Sequence, residues 1–358
     1  MSLVSTIKLQ APAVQVIEIA DGVILKRGCT EFKIAGAGAA EAVKKILAVA
    51  GNGGATREEI LELFDPEAGP IIERLSEQLL GRRLLVPCEE NDSTESPESN
   101  LDIFYWHFGE KTKRVTERLN KRSLVILGVN CISRQLAVSL AASEMENFHV
   151  LDHPRFRNLR LFDNAGRLKA DQWPASLKVP QDCTDGLGSH SFDCLIATSD
   201  FGGREEMREW NKLCVQEKRH FLPVVLQDLI GYVGPLVVPG ETACFDCLRI
   251  RRNSQMHDER PRRFTEAVAF EGQGAIGFHP SMASIIGNIA AFELIKFYSE
   301  TLPFRKVGTL IEVNLLATEM KARRVLKIPR CPTCSPLMTR PSTTPYKPNF
   351  APPEANDR

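Results

Sequence analysis

The chain has no surplus of charge. Its 45 lysine and arginine residues balance 45 aspartate and glutamate residues, for a formal net charge of +0. That balance provides no electrostatic footprint for a nucleic-acid backbone or an anionic membrane, so neither is expected as a partner. Aromatic residues are sparse at 7%. No apolar run approaches the roughly 20 residues a membrane span needs. Residues 1–12 lack the apolar core of a secretory leader. Ten cysteines without such a leader point to a reducing compartment, and a cytoplasmic location is the expectation. What remains is ordinary for a globular chain: 43% hydrophobic and 25% charged residues over 358 positions, enough for two domains.

The most informative stretch is Cys244-Phe245-Asp246-Cys247, echoed by Cys331-Pro332-Thr333-Cys334. A Cys-x-x-Cys pair grips one side of a tetrahedral zinc ion, and a second pair closes the other. A complete sulfur shell leaves no position for water or substrate, so the expected role is structural. Unligated cysteines or disulfides are the bland alternative. The pairs are far apart in sequence, so metal binding and folding should be coupled. Cys183, Cys194 and Cys214 read as ordinary core or surface thiols.

Residues 14–19 and 23–26 read as strands joined by the turn signal Asp21-Gly22, and residues 30–34 alternate as a third strand. The period then becomes helical over 39–49, with Val43, Ile46, Leu47 and Ala50 on one side. Thr56-x-x-Glu59 matches a capping box. A third helix follows Asp65-Pro66, with Ile71, Ile72, Leu75, Leu79 and Leu80 expected on its apolar side. Leu84-Leu85-Val86 reads as a closing strand or wing. Three strands, three helices and a wing make a winged-helix arrangement. The third helix carries Glu73 and Glu77 beside Arg74, and Arg82 and Arg83 come only at its end. That is little positive charge for a DNA-binding face, so an open sheet edge that accepts a peptide strand is the favoured use. Residues 88–100, with Glu89, Glu90, Asp92, Glu95 and Glu98, read as an acidic linker.

Residues 102–120 form a connecting helical segment. Residues 123–128 then read as a buried strand ending in Gly128, followed by a loop, a helix over 134–145, and a strand ending at Asp152. This is the β-loop-α-β layout of a Rossmann-like nucleotide-binding half-fold. Its glycine fingerprint is altered: the three positions are Gly128, Asn130 and Ser133. Asn130 and Ser133 bring side chains into the space that phosphates occupy in an intact loop. Residues 192–200 and 221–226 read as further buried strands, 205–214 and 278–297 as helices, and 307–317 with 319–325 as a final antiparallel pair. Alternating strands and helices indicate a parallel sheet covered on both faces. The tail at 338–358 is rich in Pro, Ser, Thr and Asn and reads as disordered.

The Gly128 loop, Asp152 with Asn158-Leu159, Thr198-Ser199-Asp200 and the segment from Gly234 to Cys247 followed by Cys331 and Cys334 resemble the ubiquitin-activating-like superfamily that includes ThiF and MoeB. The phrase at 234–240 with Cys-Phe-x-Cys-Leu is most similar to its branch in azole-modified (thiazole/oxazole-modified microcin) peptide biosynthesis. The resemblance implies an α/β chain: a winged-helix leader-recognition domain at 1–90, a linker and connecting helix at 91–120, a ThiF-like Rossmann-type domain with a four-cysteine zinc site at 121–337, and the tail. It implies a leader-peptide-binding subunit, docked to a YcaO-type cyclodehydratase that makes thiazolines or oxazolines, and a homodimer. Carried onto this chain, structural zinc sits on Cys244, Cys247, Cys331 and Cys334. The leader contacts Thr30, Phe32, Ile34, Ile71, Arg74, Leu75 and Gln78, along strand 30–34 and helix 70–80. The positions that hold ATP and Mg²⁺ in adenylating members correspond to Gly128, Asn130, Ser133, Asp152, Asn158, Arg160 and Asp200. The altered loop and a short spacing from Asp152 to Asn158 argue against ATP use by this chain itself, and no cysteine is an evident sulfur-relay nucleophile. Two other readings stay open: a working adenylating enzyme that acts on a peptide carboxylate, and a winged-helix DNA-binding regulator.

Overall fold

The first strand, β1 (Leu9–Gln10), pairs antiparallel with β5 (Val86–Pro87). Between them lie β2 (Gln15–Ile19), β3 (Gly22–Arg27) and β4 (Thr30–Ala35), an antiparallel sheet in that order. Val23 and Leu25 of the central strand are fully buried. Three helices pack on them: α1 (Ala39–Gly51), α2 (Arg57–Leu61) and α3 (Gly69–Gly81). The expected capping box opens α2: Glu59 N–H donates to Thr56 Oγ1 at 3.1 Å, and Thr56 N–H donates to Glu59 Oε2 at 2.8 Å. In α3 the buried stripe is Ile72, Leu75 and Leu79, while Ile71 is 70% exposed rather than on the apolar side. A stripe at three- and four-residue spacing leaves its immediate neighbour at the margin. The closing strand also differs from expectation. Leu84 and Leu85 are core residues, and only Val86–Pro87 are paired.

Two helices, α4 (Asn100–His107) and α5 (Thr112–Asn120), replace the single connecting segment. The break falls at Gly109, whose φ of +81° is a left-handed value suited to glycine. The chain divides into two compact units, Met1–Val115 and Thr116–Arg358. This computed structural model describes residues 7–51, 53–88, 99–183, 191–204, 206–227, 229–254, 277–303 and 307–336. Most of the acidic linker, the tail and the start of the helix expected at 205–214 lie outside the described residues.

The second unit is built on one mixed eight-stranded sheet. In chain order its elements are β6 (Leu124–Leu127), α6 (Cys131–Ala142), β7 (Phe148–Asp152), β8 (Gln181–Asp182), β9 (Cys194–Ser199), α7 (Met207–Gln216), β10 (His220–Gln227), β11 (Ile230–Val233), α8 (Phe245–Asn253), α9 (Pro280–Ser299), β12 (Thr309–Asn314) and β13 (Glu319–Arg324). Across the sheet the order is β13-β12-β11-β10-β9-β6-β7-β8. The run from β10 to β8 is parallel, and β11, β12 and β13 extend it antiparallel. β6 and β9 are buried at every position, as expected for central strands covered on both faces. α6 and α9 pack closely at Gly287, where an added Cβ would meet Ile132 O at 2.9 Å. Among the described residues, no helix is long and apolar enough to cross a membrane.

Candidate functional site

The two Cys-x-x-Cys motifs converge. Cys244 is the N-cap of α8 and Cys247 lies in its first turn, while Cys331 and Cys334 sit in the turn after β13. Their Sγ atoms are 3.9 Å apart for Cys244–Cys247 and 3.5 Å for both Cys244–Cys331 and Cys247–Cys334. All four lie within 4.8 Å of one another. A tetrahedral centre with metal–sulfur bonds of about 2.3 Å needs sulfur–sulfur edges of about 3.8 Å, so this cluster can hold one metal ion. The thiol contacts split the set: bonds from Cys244 and Cys334 hold the Cys247 thiol below the usual range, while the bond to Cys247 pushes the Cys244 thiol above it. The surrounding bonds fix the two loops on each other. Asp246 accepts from Arg208 at 3.0 Å and Arg249 at 3.3 Å, and Thr333 donates to its other oxygen. Arg251 donates to Leu326 O at 2.8 Å.

The altered loop at the start of α6 is closed on itself. Asn130 is fully buried and caps the helix: its Oδ1 accepts from Ile132 N–H at 3.1 Å and Ser133 N–H at 3.0 Å. Its Nδ2 donates to Thr198 O at 2.9 Å, Thr198 Oγ1 at 3.0 Å and Phe156 O at 3.2 Å. Ser133 Oγ accepts from Asn130 N–H at 2.9 Å. The remaining amide, Cys131 N–H, donates to Asp200 Oδ2 at 2.9 Å. Asn158 Nδ2 donates to the same oxygen at 2.9 Å. Every amide of the first three residues of α6 therefore has an internal acceptor. The negative end that a helix N-terminus attracts is supplied by the protein's own carboxyl. Burial pushes the Asp200 carboxyl above the usual range, against the pull of Asn158 and Cys131.

Gly128 fits only without a side chain, because a Cβ would lie 2.7 Å from Phe156 Cβ and 2.9 Å from Thr198 O. The acidic end of β7 is also engaged, since Arg157 donates to Asp152 at 2.6 Å. Beside these groups lies a cavity of about 240 Å³ lined by Cys131, Arg134, Asn158, Arg160 and Phe201 among others. The sequence-derived nucleotide set thus gathers at one place, but Asn130, Ser133 and Asp200 fill the anion position. In this arrangement the first amides of α6 are already engaged and offer no free donor to a phosphate. Sequence reasoning missed Thr198 and Arg157 as partners of the loop and of Asp152. The five-residue offset from Asp152 to Arg157 was the only local signal for the latter. Burial, then Asp200, pushes the Cys131 thiol up to about 12.

In the first unit, β4 has only β3 as a strand neighbour among the described residues. Beside the end of β4 runs a groove of about 460 Å³, floored by Ile34, Ala42, Phe64, Ile72 and Leu75 and rimmed by Glu41, Lys45, Ile71, Arg74 and Gln78. Ile34, Ile71, Arg74, Leu75 and Gln78 of the expected peptide set meet there. Thr30 and Phe32 do not line it: Arg82 lies 4.0 Å over the Phe32 ring, and Thr30 faces His107. Phe64, expected only as a buried residue after the capping box, and Lys45 of α1 also reach the groove.

A mixed α/β chain with a four-thiol cluster and a small sheet-and-helix unit before it is what fold and site define. No family model matches the chain, and no curated protein matches it. Among solved structures, it shares its fold with the heterocyclase TruD, at 22% identity and a TM-score of 0.59, over 92% of this chain and 43% of that one. A heterocyclase in complex with substrate and cofactor matches at 21% identity and a TM-score of 0.57, over 92% of this chain and 40% of that one. MccB of E. coli, crystallised with ATP, matches at 18% identity and a TM-score of 0.62, over 91% of this chain and 99% of that one. The chain thus spans less than half of the heterocyclases and nearly all of MccB. These neighbours are consistent with the ThiF/MoeB-like resemblance carried by the cysteine and glycine-loop segments.

Proposed function

We propose that this chain is a peptide-recognition subunit of an azole-forming (RiPP, bacteriocin-type) pathway. It captures the leader of a ribosomally made precursor and presents it to a separate YcaO-type cyclodehydratase. The observation that carries this reading is the unpaired edge of β4 beside the groove of α3. An extended peptide added to β4 gains backbone hydrogen bonds, and its apolar side chains enter the space over Ile34, Ile72 and Leu75. In this reading residues 1–90 form the winged-helix leader-recognition domain and 121–337 a Rossmann-type, ThiF-like domain. The four cysteines hold a structural zinc, two copies pair through the larger domain, and the complex works in the cytoplasm. The closed start of α6 supports a presenting rather than an activating role.

The test is fluorescence anisotropy with a labelled synthetic leader from a candidate precursor peptide. We expect micromolar binding that Ile71→Asp weakens at least about tenfold, because a charge enters the groove from an exposed position and leaves the fold intact. Equal affinity of wild type and variant would sink the strand-addition reading. A second reading, peptide adenylation, draws on the likeness to MccB crystallised with ATP. Pyrophosphate exchange dependent on ATP and peptide would establish it. Steep salt-dependent duplex binding would instead favour a DNA-binding regulator.

A further inference from the structure

The groove beside β4 gives way to a positive charge along the same edge. Ile34 lies in the groove with Ile72, Leu75 and Gln78 of α3. Two residues back along β4, Phe32 carries the guanidinium of Arg82 4.0 Å over its ring. Arg82 continues the helical spacing from Gln78, to whose carbonyl its N–H donates at 3.2 Å. Two residues of strand span about 6.6 Å and four residues of helix about 6.0 Å, so α3 and the edge of β4 stay in step over this distance. Thr30, Phe32 and Ile34 share the half-buried face of β4, while Glu31, Lys33 and Ala35 are exposed.

The charges around this edge are not equivalent. On the outer face of the sheet, Glu31 pairs with Lys26 at 2.8 Å and Lys33 with Asp21 at 2.8 Å. On the rim of the groove, Lys45 pairs with Glu41 at 3.0 Å. Arg74 and Arg82 are exposed, and neither has a carboxylate partner among the described residues. A guanidinium held over an aromatic ring keeps its N–H donors for an acceptor and gives up less side-chain freedom when one arrives. An apolar hollow and two uncommitted guanidinium groups therefore lie along one open strand edge.

We propose that the peptide taken by this edge carries an apolar residue and an acidic residue two positions apart, and that Arg82 reads the acid; this rests on the strand-addition reading above. In a strand added to β4, the residues beside Ile34 and Phe32 point to the same face and are separated by one other. The first side chain enters the groove over Ile72 and Leu75. The second, a glutamate or aspartate, meets Arg82 in a charge-assisted pair, and Arg74 adds positive charge at the rim. The residue between them faces the solvent beside Lys33, whose charge is already met by Asp21, and its identity is unrestricted. The partner is thus an acidic extended segment with an apolar anchor, not an apolar segment alone.

The test selects a randomised dodecapeptide display library on the full-length, metal-loaded protein and then measures the enriched peptides singly by fluorescence anisotropy. We expect the enriched set to share an apolar and an acidic residue at that spacing. Exchanging the acid for its amide should weaken binding at least about fivefold on wild type and less than about twofold on Arg82→Gln, as a direct pair requires. Enriched peptides that Ile71→Asp weakens, but that lack the acid or tolerate its exchange, would overturn this inference and leave the groove reading standing. An equal loss on a folded Arg82→Gln variant would overturn the role of Arg82. No enrichment, or enrichment that Ile71→Asp leaves unchanged, would overturn both the inference and the groove reading. Where the arginine variant unfolds, the spacing and the amide exchange on wild type decide.

Discussion

Replacing Asn130 by alanine probes the closed start of α6 directly. The substitution removes an N-cap, a loss of about 1 kcal/mol on its own. It also strands buried groups. Ile132 and Ser133 N–H lose their acceptor, and Thr198 O and Phe156 O lose a donor. A buried polar group left without a partner costs about 1–3 kcal/mol, and these losses overlap rather than add. We expect the larger unit to lose about 2–4 kcal/mol. Urea unfolding followed by tryptophan fluorescence reads this, because Trp173 and Trp210 lie in the larger unit and Trp106 in the smaller. Asn130→Asp separates the two halves of the role: it keeps the acceptor, loses both carbonyl contacts and adds a charge at the helix start that already holds Asp200. The freed amides of the alanine variant should not confer ATP binding, because Asp200 still occupies the anion position. A loss below about 0.5 kcal/mol, or tight ATP binding by wild type, would refute the closed-loop reasoning.

Cys331→Ser should cut the bound metal below one equivalent and unfold the larger unit, as read by metal analysis beside a melting curve; full metal content with an unchanged curve would exclude the four-thiol centre. Asp200→Asn tests burial of the carboxyl. Its pKa is raised in the folded protein, so wild type is least penalised below the unfolded-state value of about 3.9 and loses stability as pH rises through the folded-state value. The variant should therefore gain on wild type as pH increases from about 4 toward neutrality, and a pH-independent difference in urea midpoints would contradict this. Gly287→Ala should destabilise by about 1–3 kcal/mol despite the better helix propensity of alanine, because the new methyl group meets the backbone of α6. A raised melting temperature would show that α9 can shift away at little cost.

The small sheet, the capping box on α2 and the buried strand ending in Gly128 were legible because each is a local pattern: a two-residue period, a three-residue spacing, a turn residue. The four-cysteine motif was legible because sulfur ligands at that spacing have few other uses. The pairing of β1 with β5 was not, since it joins chain segments that carry no mutual signal. Nor was the exposure of Ile71, which depends on what α3 packs against. The altered fingerprint showed that a phosphate loop was compromised, but local sequence could not show that Asn130 reaches Thr198 and Phe156, or that Asp200 takes the last free amide.

By itself, then, the sequence determined most element types, the donor chemistry of a candidate metal site and the loss of a standard glycine loop, all written in neighbouring residues. Only the tertiary structure decided which groups meet. It brought the two cysteine pairs within bonding distance of one ion, turned the start of α6 inward on a buried carboxyl, and left β4 with β3 as its one strand neighbour among the described residues, beside a groove. Each of these depends on packing between segments distant in the chain, where burial and hydrogen-bond satisfaction, rather than local propensity, choose the partner.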